Sequence, residues 1–206
     1  FDFAIANRAT YFPDTPLIYE DVNSVEKAQL YQNDPLITGV VEAFPMKETI
    51  ELARRVMPEA TRVVVVTDGS VSAAGSVGQA LGEQKDFPDL SFETFDCSTR
   101  SPEEIAADIA AFGNDTIMLY TVFNVDCSGN RYSVSQGVKL ITDAANVPVF
   151  KADGVGVGDG LLGGYVLSYE SIGQQTGQIA LDVLDGTSDP SVTGYTTGSC
   201  EYLFDA

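Results

Sequence analysis

Residues 62–67 read RVVVVT, four consecutive valines between an arginine and a threonine. A β-branched run without polar alternation is typical of a strand covered on both faces, as in a parallel sheet. Just before it, residues 45–57 have helical periodicity, with Met46 and Ile50 on one face, and Pro58 stops the pattern. A helix followed by a fully buried strand predicts the beginning of an α/β unit.

Strands and helices are predicted to alternate along the rest of the chain. The predicted strands cover residues 15–22, 90–95, 116–121, 147–150 and 164–168, with a final edge strand at 195–205. The predicted helices cover residues 72–84, 134–145 and 169–185, and another follows a capping box at 101–104. Strands separated by helices of this length imply parallel sheets with right-handed crossovers, and therefore an α/β fold.

The 206-residue chain is strongly acidic, with 30 acidic against 11 basic residues and a formal net charge of −19. Such a chain repels polyanions, so nucleic acids and anionic membrane surfaces are not expected partners. The acid surplus favours a solubilising surface, and a preference for neutral or cationic ligands is the alternative. No apolar run approaches the roughly 20 residues of a membrane helix. The chain begins at Phe1 without a basic leader, and we expect it to be a segment of a longer protein.

The commonest catalytic systems have no residues to build them. The chain has no histidine, which excludes the usual Ser/His/Asp and Cys/His nucleophiles. Cys97, Cys127 and Cys200 are too few for a zinc site. Two alternatives remain for them, a Cys97–Cys127 disulfide or isolated buried thiols. Residues 126–130 lack the complete calcium-loop pattern, so a turn is predicted there. We expect no catalytic residue, no metal site and no cofactor.

Residues 158–163 read GDGLLG and match the Gly-x-Gly-x-x-Gly pattern of dinucleotide binding. That motif should open a helix, whose N-terminus holds the pyrophosphate. Here a strand-like segment at 164–168 follows, and helical periodicity begins only near Tyr169. A flexible glycine loop is therefore the favoured interpretation. A flavodoxin-like or dinucleotide-binding enzyme that uses this loop remains the alternative.

Several segments carry a resemblance to a known family. They are YFPDTPLI at 11–18, TGVVE at 38–42, the helical segment 48–58, DTIMLY at 115–120, VPVF at 147–150, GLLGGYVLSYE at 160–170, IGQQTG at 172–177 and IALDVLDG at 179–186. In order and spacing they resemble ABC-type substrate-binding proteins of periplasmic-binding fold type I. They are especially similar to the related extracellular sensor domains of histidine kinases and diguanylate cyclases.

The resemblance implies parallel, doubly wound sheets in two lobes, with a small ligand held between the lobes. It assigns residues 1–37 and 164–188 to the first lobe, and residues 38–163 and 189–206 to the second. Family members carry roughly a hundred more residues before the segment that matches Tyr11, given ordinary domain sizes. The first lobe is therefore expected to be truncated.

Ligands of open parallel sheets bind beyond the carboxyl ends of the strands, and members of this family use equivalent loops. The ligand-binding residues predicted on this basis are Asp68, Ser70, Thr121, Phe123, Lys151, Asp153, Tyr165, Glu20, Asp21 and Asn23. Hydroxyl groups on two of these loops would hydrogen-bond the ligand, and two aromatic rings, Phe123 and Tyr165, would form a stacking wall.

The charged candidates suit an amino-acid-like ligand. Asp68 or Asp153 would hold its ammonium group, and Lys151 would pair with its carboxylate. The structural alternative is that residues 68–69 form an ordinary turn, and that Lys151 and Asp153 are merely solvated.

Together these patterns predict non-enzymatic, extracytoplasmic binding of a small organic solute, for ABC-type uptake or for transmembrane signalling. The expected partners are the ligand, a membrane permease or a signalling module, and a second copy of the chain in a homodimer. The full-length protein is expected to be anchored in a membrane. Besides the enzyme that uses the glycine loop, the remaining hypothesis is a structural domain with a vestigial cleft.

Overall fold

The computed structural model describes residues 1–205 and divides the chain into two compact units. Unit 1 comprises Phe1–Ala43 and Ser168–Ser199. Unit 2 comprises Phe44–Leu167 and the C-terminal segment that begins at Cys200. Each unit contains a mainly parallel β-sheet flanked by helices, so the predicted α/β fold is confirmed.

Nine strands and eight α-helices are present within residues 1–205. The strands are β1 (Leu17–Val22), β2 (Ile37–Val41), β3 (Arg62–Thr67), β4 (Ser91–Asp96), β5 (Thr116–Tyr120), β6 (Val149–Phe150), β7 (Gly163–Leu167), β8 (Tyr195–Thr197) and β9 (Cys200–Phe204). The helices are α1 (Asp2–Tyr11), α2 (Val25–Gln29), α3 (Met46–Val56), α4 (Val71–Gly82), α5 (Pro102–Ala110), α6 (Val134–Ala144), α7 (Tyr169–Leu184) and α8 (Pro190–Thr193).

Unit 1 is built on a three-stranded sheet in the order β1-β2-β8, and both pairings are parallel. All five residues of the central strand β2 are buried. Its apolar cluster includes Tyr19, Ile37 and Val41. The ring of Phe1 packs edge-on against Tyr19, with 5.1 Å between the ring centroids. Helix α1, which the sequence patterns do not predict, therefore begins at an aromatic contact with the sheet.

Unit 2 is built on a six-stranded sheet in the order β4-β3-β5-β6-β7-β9. The first five strands are parallel, and β9 is antiparallel to β7. Strand β3 is an interior strand, because it pairs with β4 on one side and β5 on the other. Its four valines are at most 1% exposed. The order of strands reverses between β3 and β5, which makes this position the topological switch point of the sheet.

The prediction of a single edge strand over residues 195–205 is wrong. This segment divides between the two sheets, because β8 pairs in parallel with β2 whereas β9 pairs antiparallel with β7. At the break, the carbonyl group of Ser199 accepts a hydrogen bond from the amide of Ser168 at 3.0 Å. Alternation of residue types predicts a strand but not the sheet that it joins.

The two units also differ from the lobe boundaries expected from the family resemblance. Strand β2 lies in unit 1 rather than with residues 38–163, because it pairs with β1 and β8. Strand β7 lies in unit 2 rather than with residues 164–188, because it pairs with β6 and β9. Residues 189–199 belong to unit 1. Residue 206, assigned to the second lobe, lies outside the described residues.

No helix within residues 1–205 is long and apolar enough to cross a membrane.

Gly163 lies where β7 and β9 pair, and it allows their backbones to approach closely. Its φ angle is +95°, and a Cβ atom added there would clash with the carbonyl oxygen of Leu203. We expect Gly163→Ala to destabilise the protein by about 1–3 kcal/mol, the usual cost of a strained backbone, as measured by urea denaturation. The control is Gly173→Ala on the exposed side of α7, where nothing lies within 4 Å of the added atom. The control should be neutral, or stabilising by about 0.5–1 kcal/mol. Equal destabilisation by the two variants would contradict this account.

Candidate functional site

The loops that follow β3, β4, β5 and β6 lie side by side at the carboxyl edge of the unit 2 sheet, because these strands are parallel. Six of the predicted residues lie at this edge, and they are Asp68, Ser70, Thr121, Phe123, Lys151 and Asp153. The rule for parallel sheets thus places these six predicted residues at one edge of unit 2, and their role in binding stays a prediction. The bonding of each side chain determines what it can do there.

Asp68 links two of these loops. Its side chain is almost completely buried, and its Oδ1 atom accepts a hydrogen bond from the amide of Ser70 at 3.0 Å. Its Oδ2 atom accepts from the amide of Asn124, in the loop after β5, at 2.9 Å. Ser70 in turn caps α4, since its Oγ atom accepts from the amide of Ala73 at 3.3 Å. Both carboxylate oxygens of Asp68 are thus engaged within the protein.

Lys151 and Asp153 form a buried ion pair, in which the Lys151 Nζ atom lies 3.4 Å from the Asp153 Oδ1 atom. The same ammonium group donates to the carbonyl of Thr121 at 3.1 Å and lies 5.0 Å from the ring centroid of Tyr120. The Thr121 hydroxyl donates to the carbonyl of Val66 at 2.8 Å. Burial raises the pKa of Asp153, although Lys151 acts in the opposite direction. The Lys151 ammonium group is already in contact with a carboxylate, a backbone carbonyl and an aromatic ring within unit 2.

The two predicted aromatic residues do not form a shared wall at this edge. Phe123 is fully buried, with its ring centroid 4.7 Å from that of Tyr132. Tyr165 lies in the middle of β7 rather than on the glycine loop, and its ring packs against Tyr202 at 4.8 Å. Phe123 therefore belongs to the hydrophobic core of unit 2, and Tyr165 belongs to an aromatic cluster on β7 and β9.

Asp126 organises the turn that the sequence predicts at residues 126–130. Its carboxylate accepts hydrogen bonds from the amides of Ser128 and Asn130, from the Asn130 side chain, and from the Tyr132 hydroxyl at 2.7 Å. Burial favours the neutral carboxyl group, but these donors outweigh it and lower the pKa of Asp126 below its ordinary value of 3.8. No group of three or more His, Cys, Asp or Glu side chains within residues 1–205 is arranged to hold a metal ion.

A cavity of about 200 Å³ opens between α4 and the ends of β3 and β4. Its lining residues are Thr67, Gly69, Ser70, Ala73, Ala74, Val77, Thr94 and Asp96. Gly69 has a φ angle of +65°, and a Cβ atom added there would lie 2.9 Å from the Asp96 Oδ2 atom. The Asp96 Oδ1 atom accepts from the amide and hydroxyl of Ser98 at 2.9 and 2.7 Å. The cavity thus combines an apolar helix face with one carboxylate.

Asp96 is a functional candidate that the sequence interpretation missed. It ends β4 in the same way that Asp68 follows β3, so the rule that selects loops after parallel strands also selects Asp96. The predicted site included residues from the loops after β3, β5 and β6, but none from the loop after β4.

Three predicted residues, Glu20, Asp21 and Asn23, lie at the carboxyl end of β1 in unit 1. Asp21 has a φ angle of +52°, at an irregularity of the pairing between Tyr19 and Val22. Such a bulge redirects the side chains at the end of a strand. Burial, followed by repulsion from Glu20, raises the pKa of Asp21.

Glu42 follows β2 in unit 1 and was also missed. Its Oε1 atom accepts a hydrogen bond from the hydroxyl of Tyr169 at 2.5 Å. The sequence interpretation did not assign residues 38–42 to a strand, and the rule for carboxyl ends was therefore not applied to Glu42.

The glycine segment at 158–163 leads directly into β7, and the next helix, α7, begins only at Tyr169. The segment therefore lacks the adjoining helix N-terminus on which a pyrophosphate would bind. Instead, the carboxylate of Asp159 accepts from the hydroxyl of Ser135, near the start of α6, at 2.9 Å. This packing attaches the glycine segment to a helix of its own unit.

All three cysteines are free thiols, so the Cys97–Cys127 disulfide that the sequence left open is not formed. Cys97 is buried and Cys127 is exposed. Burial raises the pKa of Cys97 to about 12, which keeps this thiol protonated and unreactive at neutral pH.

The family model described as ABC transporter substrate binding protein matches residues 14–202. The chain belongs to this family. The resemblance to ABC-type substrate-binding proteins is therefore confirmed, and substrate-binding proteins of this family are in general extracytoplasmic. None of the curated proteins matches this chain in a sequence comparison.

Two solved structures have a similar fold. One is the ABC domain from Streptococcus pneumoniae in complex with L-Trp, with 19% identity and a TM-score of 0.64 over 93% of this chain and 65% of that one. The other is a conserved domain protein from Vibrio cholerae O1 biovar El Tor, with 18% identity and a TM-score of 0.64 over 92% of this chain and 63% of that one. The chain thus spans less than two thirds of either neighbour.

The lowered pKa of Asp126 predicts a pH-dependent contribution to stability. A depressed carboxyl pKa stabilises the fold above the unfolded value and is lost as the pH falls through the folded value. We expect Asp126→Asn to lower the melting temperature at pH 7, with the difference from wild type shrinking below about pH 4. Thermal melts across pH test this. The control is Asp143→Asn on α6, which should show no such convergence. A difference independent of pH would refute the role of the Asp126 charge.

Proposed function

We propose that the carboxyl edge of unit 2 binds a small organic solute that carries an ammonium group, with an amino acid as the favoured class. The cavity beside α4 is the observation that carries this proposal, because it places the carboxylate of Asp96 next to an apolar face. A carboxylate is the natural partner of an ammonium group, and charge-assisted hydrogen bonds are the strong ones. The apolar part of the solute would contact Ala73, Ala74 and Val77.

Electrostatics supports a ligand with a positive group. Lys151 is paired with Asp153, so it offers little charge to an anionic ligand. The chain carries a formal charge of −19, which attracts cations and repels anions at a distance. The S. pneumoniae neighbour of the same fold binds L-Trp, which adds support for an amino acid.

The proposed role is binding without chemical conversion. The chain has no histidine, and the glycine segment enters a strand instead of a helix, which disfavours the dinucleotide-binding enzyme. We propose that the two units correspond to the family's two lobes, in an extracytoplasmic and membrane-anchored protein. The bound solute would be passed to an ABC permease. A signalling module in place of the permease would use the same binding step.

The first test fills the cavity. Ala74 is exposed on α4 and lines the cavity, so Ala74→Leu should occupy the space without disturbing the core. We expect a thermal-shift screen of amino acids, nucleobases and sugars to find stabilisation by an amino acid, about 2.7 kcal/mol at a concentration of 100 Kd. Ala74→Leu should abolish that stabilisation. The matched control, Ala107→Leu on the exposed side of α5, should preserve it. Undiminished binding by Ala74→Leu would exclude this cavity.

The second test removes the charge of Asp96. Asp96→Asn keeps the shape of the side chain and its capping of Ser98, and should weaken amino-acid binding roughly tenfold to hundredfold, as measured by calorimetry. The deaminated analogue of the same amino acid should bind the wild type weakly, with no further loss in the variant. Equal affinity of the wild type for the amino acid and its analogue would overturn the ammonium assignment.

A further inference from the structure

We infer that Asp68 is a positioning residue, which couples the loop lining the cavity to the loop that follows β5. The inference rests on the proposed function, because it assigns Asp68 a role at the same ligand-binding edge. Its basis is geometric. One carboxylate, 3% exposed, accepts the amide of Ser70 on one loop and the amide of Asn124 on the other.

Asp68 follows β3 at the topological switch point of the sheet, between the loops after β3 and β5. Strand β3 continues through α4 to β4 on one side, whereas β5 continues through α6 to β6 on the other. Right-handed crossovers in opposite directions place α4 and α6 on opposite faces of the sheet. The two connecting loops diverge at this switch point, where open α/β sheets have a crevice. Asp68 bridges that crevice with two hydrogen bonds.

On one side of the link, Asp68 shapes the wall of the cavity. It holds the amide of Ser70, whose hydroxyl caps α4 through the amide of Ala73, and Ser70 lines the cavity. On the other side, it holds Asn124, which follows the buried ring of Phe123. Asn124 does not line the cavity. A solute that restrains Ser70 will therefore also restrain the amide of Asn124, which the solute does not contact.

Direct binding of an ammonium group by Asp68 is the alternative, and it was the expectation from sequence. It conflicts with the bonding of the side chain, because both oxygens accept backbone amides and almost no surface of the residue is exposed. Removing the carboxylate leaves the amides of Ser70 and Asn124 without their charged acceptor. The resulting loss of free energy destabilises the two loops, whether or not a ligand is bound.

The experiment compares amide hydrogen exchange by NMR in the full chain and in Asp68→Asn without ligand. An asparagine side chain has one acceptor oxygen, so it can keep only one of the two bonds. We expect exchange at Asn124 or Ser70 to become at least roughly tenfold faster, with the core amides of Val64 and Met118 unchanged. The control is Asp89→Asn, which removes the same charge from an exposed ion pair and should leave Asn124 unaffected.

Unchanged exchange at both loop amides in Asp68→Asn would overturn the inference. Should that variant fail to fold, wild-type protein with L-tryptophan as the probe provides a second measurement. Binding detected by calorimetry should slow exchange at Asn124, and binding that leaves Asn124 unprotected would refute the coupling. If L-tryptophan does not bind, the amino-acid proposal fails for this probe, while the comparison without ligand still decides the role of Asp68.

Discussion

A carboxylate removed from water must be surrounded by hydrogen-bond donors, and this constraint organises the carboxyl edge of unit 2. Asp68, Asp126 and Asp153 are all buried there. Each obtains its donors from neighbouring backbone amides or side chains, and in doing so each fixes a loop. Asp68 joins two loops, Asp126 closes a turn, and Asp153 accepts the amide of Val155 at 2.9 Å beside Lys151. The hydrogen bonds that each buried carboxylate requires therefore hold its loop in place.

The same constraint separates the residues that frame the site from those that can contact a solute. Asp68 and Lys151 satisfy their polar groups internally. Asp96 is different, because its Oδ1 atom accepts from the amide and hydroxyl of Ser98, while its Oδ2 atom would be the one nearest a Cβ atom added to Gly69 at the cavity. A carboxylate at the rim of a cavity keeps its charge available for a ligand, since nearby water compensates it until the ligand binds.

The sequence predicted the fold well because the relevant signals are local. Four valines require a strand that is covered on both faces, and β3 occupies residues 62–67 as predicted. The capping box at Ser101 and Glu104 begins α5 where expected. Helix α1 was missed because its residues have no buried apolar stripe, and the division of the C-terminal segment was missed because sheet membership depends on distant partners.

For the candidate site, the sequence could predict which loops share a sheet edge but not the bonding of their side chains. Position follows from strand direction, which short-range patterns reveal, so the loops after β3, β5 and β6 lie at one edge as expected. A side chain's role depends on whether its polar atoms are already satisfied, and those partners come from loops far apart in sequence. The partner of Asp68 lies 56 residues away, and that of Lys151 lies 30 residues away. No local pattern encodes such pairs.

The charged residues of unit 2 bear on the proposed preference for a ligand with an ammonium group. Several basic residues on the surface of unit 2 form ion pairs, as in Arg54 with Asp89 and Arg100 with Asp108, and exposed pairs of this kind contribute little stability. Lys151 is paired inside the protein. A chain of formal charge −19 has a negative overall potential. A solute with an ammonium group gains from that potential, whereas the carboxylate of an amino acid must be accommodated by neutral donors such as backbone amides.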